Sequence, residues 1–333
     1  MKHRQSISLC LIRVSSVALL CQIVVISAGR ANDEPLHGDS VLRFASIAES
    51  QNVLGARDRF IVALSPFDRQ SRVETDRDVS EEEFLQFAKS HAREWKSDEI
   101  AKISEVASRL RQKFAPFKLP FPATVLLVQT SGREEGNAAY CRANAVILPH
   151  DKIAESHEQL ERLLTHEFFH ILSSHNPAWR YDLYKIIGFQ SCSPIEIPAP
   201  LKHRKITNPD APLLDAYITL DVEGENVFAV PVLYAKSERF DAKLGGPFFR
   251  YLTFRLMAVD QVAGQWQPVL DAAEPQMLQP NQIPDFKRQI GANTQYIIHP
   301  DEILADNFVH LIHQTPSLPS PQIVDALSRS FAK

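Results

Sequence analysis

The stretch that decides the fold is His157–Ser174, which reads HEQLERLLTHEFFHILSS. Its apolar residues recur every three or four positions, which predicts an amphipathic helix, and Ser156 stands where an N-cap residue is expected. His166 and His170 are four residues apart, so both imidazoles project from one side of this helix, at the flank of its apolar stripe. The sequence therefore predicts a pair of histidines at the edge of a buried helix.

The same helix carries Glu167 directly after the first histidine, which completes the pattern H-E-x-x-H. Two imidazoles one helical turn apart are suited to bind one tetrahedral zinc ion. Glu167 is placed to accept a proton from a water molecule that zinc makes acidic, and to pass it to a leaving amine. The alternative is a surface helix with two unrelated histidines and a solvated glutamate. We interpret His166 and His170 as ligands of one catalytic Zn²⁺, with Glu167 as general base.

A catalytic zinc site normally has three protein ligands and one open position, so a third ligand is required. His175 is at the wrong offset for H-E-x-x-H-x-x-G-x-x-H, in which the last histidine would fall at Asn176. The remaining candidates lie close to a predicted helix that begins at Pro300. They are Glu302, Asp301, His299 and His310.

The stretch Glu302–Asp306, with the sequence EILAD, has the form E-x-x-x-D. Together with H-E-x-x-H it resembles the gluzincins, the thermolysin-like side of the zincin metallopeptidases. The resemblance implies that Glu302 is the third zinc ligand and that Asp306 accepts the second ring N–H of a ligand histidine. The separation from His170 to Glu302 is longer than in thermolysin-like enzymes, so an inserted domain is implied. The alternative for Glu302 is a carboxylate favoured by the start of a helix.

The fold class that follows is α+β: a zincin-like core, in which the active-site helix packs on a small mixed sheet, with a β-rich insert and a C-terminal helical closure. Ala123–Gln129 and Ala143–Leu148 predict strands, and the second would offer an edge to an extended peptide. Ala216–Val222 and Val227–Tyr234 predict a hairpin around Glu223-Gly224-Glu225-Asn226. The expected regions are a signal peptide at 1–31, a helical region at 32–120, the core at 121–190, a proline-rich connector with the β-rich insert at 191–290, and the closing helix at 291–333.

An enzyme of this kind needs a donor opposite its base to stabilise the oxyanion of the tetrahedral intermediate. Tyr296 is the first candidate, followed by Tyr234 and His203, and packing is the alternative role of each. Cys141 and Cys192 lie outside the predicted leader, where they permit one disulfide or pack as separate thiols.

The N-terminus has the pattern of a signal peptide: a basic start at Met1–Arg4, an apolar stretch at Val14–Ala28 and small residues up to Ala31. This predicts a secreted or periplasmic protein, with an uncleaved membrane anchor as the alternative. The formal net charge of -4 provides no basic surface for nucleic acid. We therefore expect a zinc-dependent peptidase acting on peptides or proteins. The alternative is a secreted non-catalytic binding or structural protein that retains a zincin fold, which would not need Glu167.

Overall fold

Helices and strands are interspersed along the chain in a computed structural model that describes residues 33–332. The helices are α1 Ile47–Leu54, α2 Arg59–Ala63, α3 Pro66–Val73, α4 Glu81–Ser90, α5 Ser97–Phe114, α6 His150–Ile153, α7 His157–His175, α8 Pro177–Tyr184, α9 Ala199–Lys202, α10 Pro284–Ile290, α11 Pro300–Ile312 and α12 Pro321–Ser330. The strands are β1 Asp33–His37, β2 Ser40–Phe44, β3 Ala92–Arg93, β4 Thr124–Thr130, β5 Tyr140–Arg142, β6 Ala145–Pro149, β7 Phe189–Ser191, β8 Ala216–Val222, β9 Glu225–Ala235, β10 Leu252–Val262, β11 Gln265–Pro268, β12 Leu270–Asp271, β13 Glu274–Pro275 and β14 Met277–Leu278. The predicted signal peptide at 1–31 lies outside the described residues.

The first sheet is mixed and has the strand order β1-β2-β4-β6-β5, with β3 paired to the end of β4. Strands β2, β4 and β6 are parallel, whereas β1 and β5 run antiparallel to their neighbours. Alternate residues of β6 enter two apolar clusters, because Val146 and Leu148 face the main core while Ala145 and Ile147 face the other side. Burial on both faces explains why β6 reads as a continuous apolar run.

Two expectations about this sheet are wrong. The segment 33–44 belongs to the predicted helical region, yet it forms β1 and β2 of the sheet. Its strands are short and β1 buries only Leu36, so the local sequence carries little strand pattern, and the pairing of β2 with β4 is long-range. The expected edge is also misplaced, because β6 is paired on both sides and the edge strand next to it is β5, whose three residues are buried.

The second sheet is antiparallel, with the strand order β11-β10-β9-β8-β7 and β14 paired to β10. The predicted hairpin is confirmed: β8 and β9 pair up to Val222 and Glu225, which leaves a two-residue turn. Both turn residues, Glu223 (φ 56°) and Gly224 (φ 91°), have the left-handed conformation of a type I′ turn. Ile218 on β8 faces the main core, which joins the two sheets through one apolar interior.

Helix α7 begins as predicted, because Ser156 and Gln159 form a capping box at its start. Its apolar residues pack between the first sheet and α11, and Phe168 and Phe169 contact the rings of Phe114 and Phe308. The described residues form one compact unit of mixed α+β structure. Within residues 33–332, no helix combines the length and the hydropathy that a membrane span requires.

Candidate metal centre

Helices α7 and α11 bring His166, His170 and Glu302 together at one point. The Nε2 atom of His166 lies 3.1 Å from Oε2 of Glu302, and the Nε2 atom of His170 lies 3.3 Å from the same oxygen. Glu302 and His170 are buried, and His166 is partly exposed, with 16% of its side chain accessible. His166 is therefore the most accessible of the three side chains.

These separations match the requirements of a tetrahedral zinc ion. Zinc lies about 2.0–2.1 Å from histidine nitrogen and at a similar distance from carboxylate oxygen, so two tetrahedral ligands are about 3.3 Å apart. The observed separations from Glu302 Oε2 are 3.1 Å to His166 and 3.3 Å to His170. Two imidazole nitrogens and one carboxylate oxygen are also the donor set of catalytic rather than structural zinc sites. The residues present fit the ion.

Each imidazole is oriented by a carboxylate at its other nitrogen. Nδ1 of His166 lies 3.0 Å from Asp306, which is where the sequence pattern expected a carboxylate. Nδ1 of His170 lies 2.7 Å from Asp301, which the sequence offered only as an alternative ligand. Tyr184 donates a hydrogen bond of 2.7 Å to Asp301. With Nδ1–H donated to a carboxylate, each ring presents the lone pair of Nε2 to the shared point.

The imidazoles and carboxylates around this point change one another's pKa values. Burial works to lower the pKa of His170, but Glu302 and Asp210 outweigh it and hold that pKa well above its usual value. Burial likewise opposes the charge of Glu302, yet the two imidazoles hold its pKa well below the usual range. Glu302 therefore stays ionised, and a cation that binds here displaces protons from the imidazoles.

Glu167 lies on the same turn of α7 and is only 3% exposed. The Cys141 thiol of β5 donates to Oε2 of Glu167 at 3.4 Å, and burial keeps the pKa of this thiol well above its usual value. Burial also raises the pKa of Glu167. Cys141, Glu167 and Asp210 form a second group of side chains that could bind a metal ion. This group includes Glu167, the expected general base. The arrangement can take up and return a proton beside the two imidazoles.

The proline-rich connector supplies two residues that the sequence did not single out. Asn208 donates from Nδ2 to Oε1 of Glu302 at 2.6 Å. Asp210 accepts the backbone N–H of Cys141 at 2.7 Å, on the edge strand β5. An Asn-Pro-Asp sequence in a proline-rich loop is common enough that only the fold reveals its place at the site.

Of the oxyanion candidates, only Tyr296 makes a ring contact with one of the three candidate ligands. Its ring centroid is 6.3 Å from that of His166, and its side chain is exposed. The charge of Glu302 raises the pKa of Tyr296, so the phenol keeps its proton. Tyr234 packs against Arg204, and exposed His203 follows the short helix α9. Within residues 33–332, neither of these two makes a hydrogen bond or ring contact with His166, His170 or Glu302, so the structure adds no support to their expected role.

The other candidates for the third ligand have different partners. His299 is the N-cap of α11, where its Nδ1 accepts the backbone N–H of Asp301 at 3.1 Å. His310 faces Asn293 and Thr315. The alternative of a disulfide is also excluded in this structure, since Cys141 and Cys192 are both free thiols.

The sequence matches no protein-family model, and neither the curated proteins nor the solved structures include a match. Any statement about function therefore rests on the geometry of the site and on the physical chemistry of its residues.

Proposed function

We propose that this protein is a zinc-dependent peptidase with a gluzincin-type site on a zincin-like core, exported by the segment 1–31. The observation that carries the proposal is the convergence of His166 and His170 on one oxygen of Glu302, at 3.1 and 3.3 Å, with Glu167 next to His166 on the same helix. The proposed core is supported by the packing of α7 against β5 and β6 of a mixed sheet. Its substrates are peptides or proteins.

In this proposal His166, His170 and Glu302 hold the ion, and Asp301 and Asp306 fix the two imidazoles. When bound, zinc supplies a Lewis acid that makes water more acidic and polarises a carbonyl group. Glu167 accepts the proton of the attacking water and later delivers it to the leaving amine. The single proton of the Cys141 thiol is shared between the backbone carbonyl of Glu167, at 3.3 Å, and its Oε2, at 3.4 Å, so the thiol contacts the carboxylate as a weak donor. Because water is the nucleophile, no covalent acyl-enzyme is formed.

The negative charge that develops on the attacked carbonyl oxygen needs a donor from the protein. Tyr296 keeps its phenolic proton, and its ring lies beside His166, the most accessible of the three proposed ligands. An exposed hydroxyl at this place can donate to the oxyanion without a large change of the surrounding structure. We assign this stabilising role to Tyr296.

The alternative function is a secreted, non-catalytic binding or structural protein that retains the fold and the zinc. Two observations favour it: Glu167 is only 3% exposed, and the edge strand β5 already donates the N–H of Cys141 to Asp210. A protein that only binds zinc has no need of a carboxylate next to the ligands, whereas a hydrolase requires one. The two functions therefore differ in what replacement of Glu167 does.

The test compares the wild type with Glu167→Gln, and uses Glu158→Gln as a matched control, because Glu158 is an exposed residue of the same helix. We measure bound zinc and the hydrolysis of casein and of fluorogenic peptides. The proposal predicts one zinc per chain in all three proteins and a loss of about 10²–10⁴-fold in kcat for Glu167→Gln alone. A wild type that hydrolyses no substrate, whether or not it binds zinc, contradicts the peptidase and supports a non-catalytic protein that retains the fold.

A further inference from the structure

The segment Thr207–Asp210, which we call the clamp segment, connects the third ligand to the edge strand of the first sheet. At its centre Asn208 donates to Oε1 of Glu302 at 2.6 Å. At its end Asp210 accepts the N–H of Cys141 at 2.7 Å. The clamp segment thus contacts α11 and β5 on the two sides of the metal-binding atoms.

The orientation of the Asn208 amide is fixed by the clamp segment itself. Its Oδ1 accepts the backbone N–H of Asp210 at 3.0 Å, so the Nδ2 group is the end that points to Glu302. Pro209 restricts the backbone of the residue before it to extended conformations. The donor that faces Glu302 is therefore set in place before any ion binds.

The start of the clamp segment is anchored in a buried ion-pair network. The N–H of Thr207 donates to Oδ1 of Asp68 at 3.0 Å, and its hydroxyl donates to Oδ2 at 2.7 Å. The carbonyl of Thr207 accepts from Arg72 at 3.0 Å. Arg72 in turn is paired with Asp68 and Glu135, and the side chains of Arg72 and Asp68 are fully buried. Displacement of Thr207 would remove two hydrogen bonds from buried Asp68 and one from buried Arg72, which is unfavourable.

We infer that Asn208 is a positioning residue for the metal ligand Glu302, and that the buried network of Asp68, Arg72 and Glu135 is its anchor. This inference rests on the proposed zinc site. The amide holds Oε1 of Glu302, so Oε2 alone faces the two imidazoles, and the carboxylate binds the ion through one oxygen. Because the side chain of Glu302 is already immobilised, the ion does not have to order it, and affinity rises.

The experiment measures the affinity for Zn²⁺ by competition with a chelating dye in the full-length wild type and in four variants. Asn208→Ala removes the contact, and Asn281→Ala is its matched control, since Asn281 is exposed. Thr207→Val removes the hydroxyl that binds Asp68, whereas Thr207→Ser retains it. The visible absorption spectrum of the Co²⁺-loaded proteins reports the ligand geometry at saturating metal, and thermal unfolding of the metal-free proteins reports the fold.

We expect Asn208→Ala to weaken Zn²⁺ binding about 10- to 100-fold and to change the Co²⁺ spectrum, while the metal-free protein still unfolds in one transition, at a melting temperature only a few degrees lower because one hydrogen bond to a buried carboxylate is lost. Thr207→Val changes affinity in the same direction, and Thr207→Ser and Asn281→Ala behave as the wild type. If the wild type binds Zn²⁺ and Asn208→Ala binds it with the same affinity, the inference is overturned and the proposed function is not affected. If Asn208→Ala weakens Zn²⁺ binding but Thr207→Val does not, the buried network of Asp68, Arg72 and Glu135 is not the anchor of Asn208. A wild type that does not bind Zn²⁺ overturns both proposals.

Discussion

Replacement of Asp301 by Asn tests whether the buried carboxylates set the metal-binding state of the imidazoles. Asp301 accepts the Nδ1–H of His170 at 2.7 Å, and both side chains are only 1% exposed. An amide can keep the hydrogen bond from Tyr184 through its oxygen, but its NH₂ group then faces Nδ1 of His170. It would donate to Nδ1 and so favour the tautomer with the proton on Nε2, which cannot bind a metal.

The magnitude follows from the lost hydrogen bond. A buried hydrogen bond to a charged group contributes about 1.5–3 kcal/mol, which is about 10- to 150-fold in affinity because each 1.4 kcal/mol is tenfold. At a Zn²⁺ concentration of about 100 times the wild-type Kd, bound metal stabilises the wild type by about 2.7 kcal/mol. A 100-fold weaker Asp301→Asn would gain only about 0.4 kcal/mol.

The assay combines dye competition for Kd with chemical denaturation at fixed Zn²⁺. Asp306→Asn is the matched comparison, because Asp306 holds His166 in the same way but its side chain is 30% exposed. Water can replace part of that interaction, so its loss of affinity should be the smaller of the two. Equal Zn²⁺ affinity in Asp301→Asn and the wild type would refute the assignment of the Asp301 carboxylate as the group that orients His170.

Two other residues give independent predictions. Burial raises the pKa of Glu134 to about 7, so the folded state binds this proton more tightly than the unfolded state does. The free energy of unfolding should therefore fall as the pH rises from 4.5 to 7. Glu134→Gln should make this fall smaller and should raise the free energy of unfolding above pH 7 by about 3 kcal/mol, measured by urea denaturation. The same pH dependence in the variant and the wild type would contradict this. Tyr296→Phe should lower kcat about 10²–10³-fold with unchanged zinc content, and its effect on unfolding should stay within about 0.5 kcal/mol because Tyr296 is 41% exposed. An unchanged kcat in an active enzyme would exclude the oxyanion role.

Sequence reasoning succeeded where the determining interactions are local. The start of α7 follows from Ser156 and Gln159, three residues apart, and the start of α11 follows from His299 and Pro300. The hairpin at Glu223-Gly224 is equally local, because the left-handed turn and the flanking strands are adjacent in the chain. Such features depend on backbone conformation and nearby hydrogen bonds, which a single sequence displays directly.

Sequence reasoning failed where partners are far apart in the chain. The strand β2 is recognisable only from its pairing with β4, and β5 is too short, at three residues, to show a period. The carboxylate of Asp301 could be assigned to Nδ1 of His170 only after α11 was placed against α7. Its neighbour Glu302 faces the same imidazole from another direction, because consecutive residues of a helix are separated by about 100°.

The sequence by itself determined that this protein has an amphipathic helix with two histidines one turn apart and a glutamate after the first of them, because a 3.6-residue period and a four-residue spacing are properties of a continuous segment. Only the tertiary structure decided which oxygen faces both imidazoles, which carboxylate holds each ring, and that Asn208 holds Glu302 across 94 positions of the chain. Contacts of that separation arise from the packing of sheets and helices, and packing depends on the whole core rather than on any stretch that can be read alone.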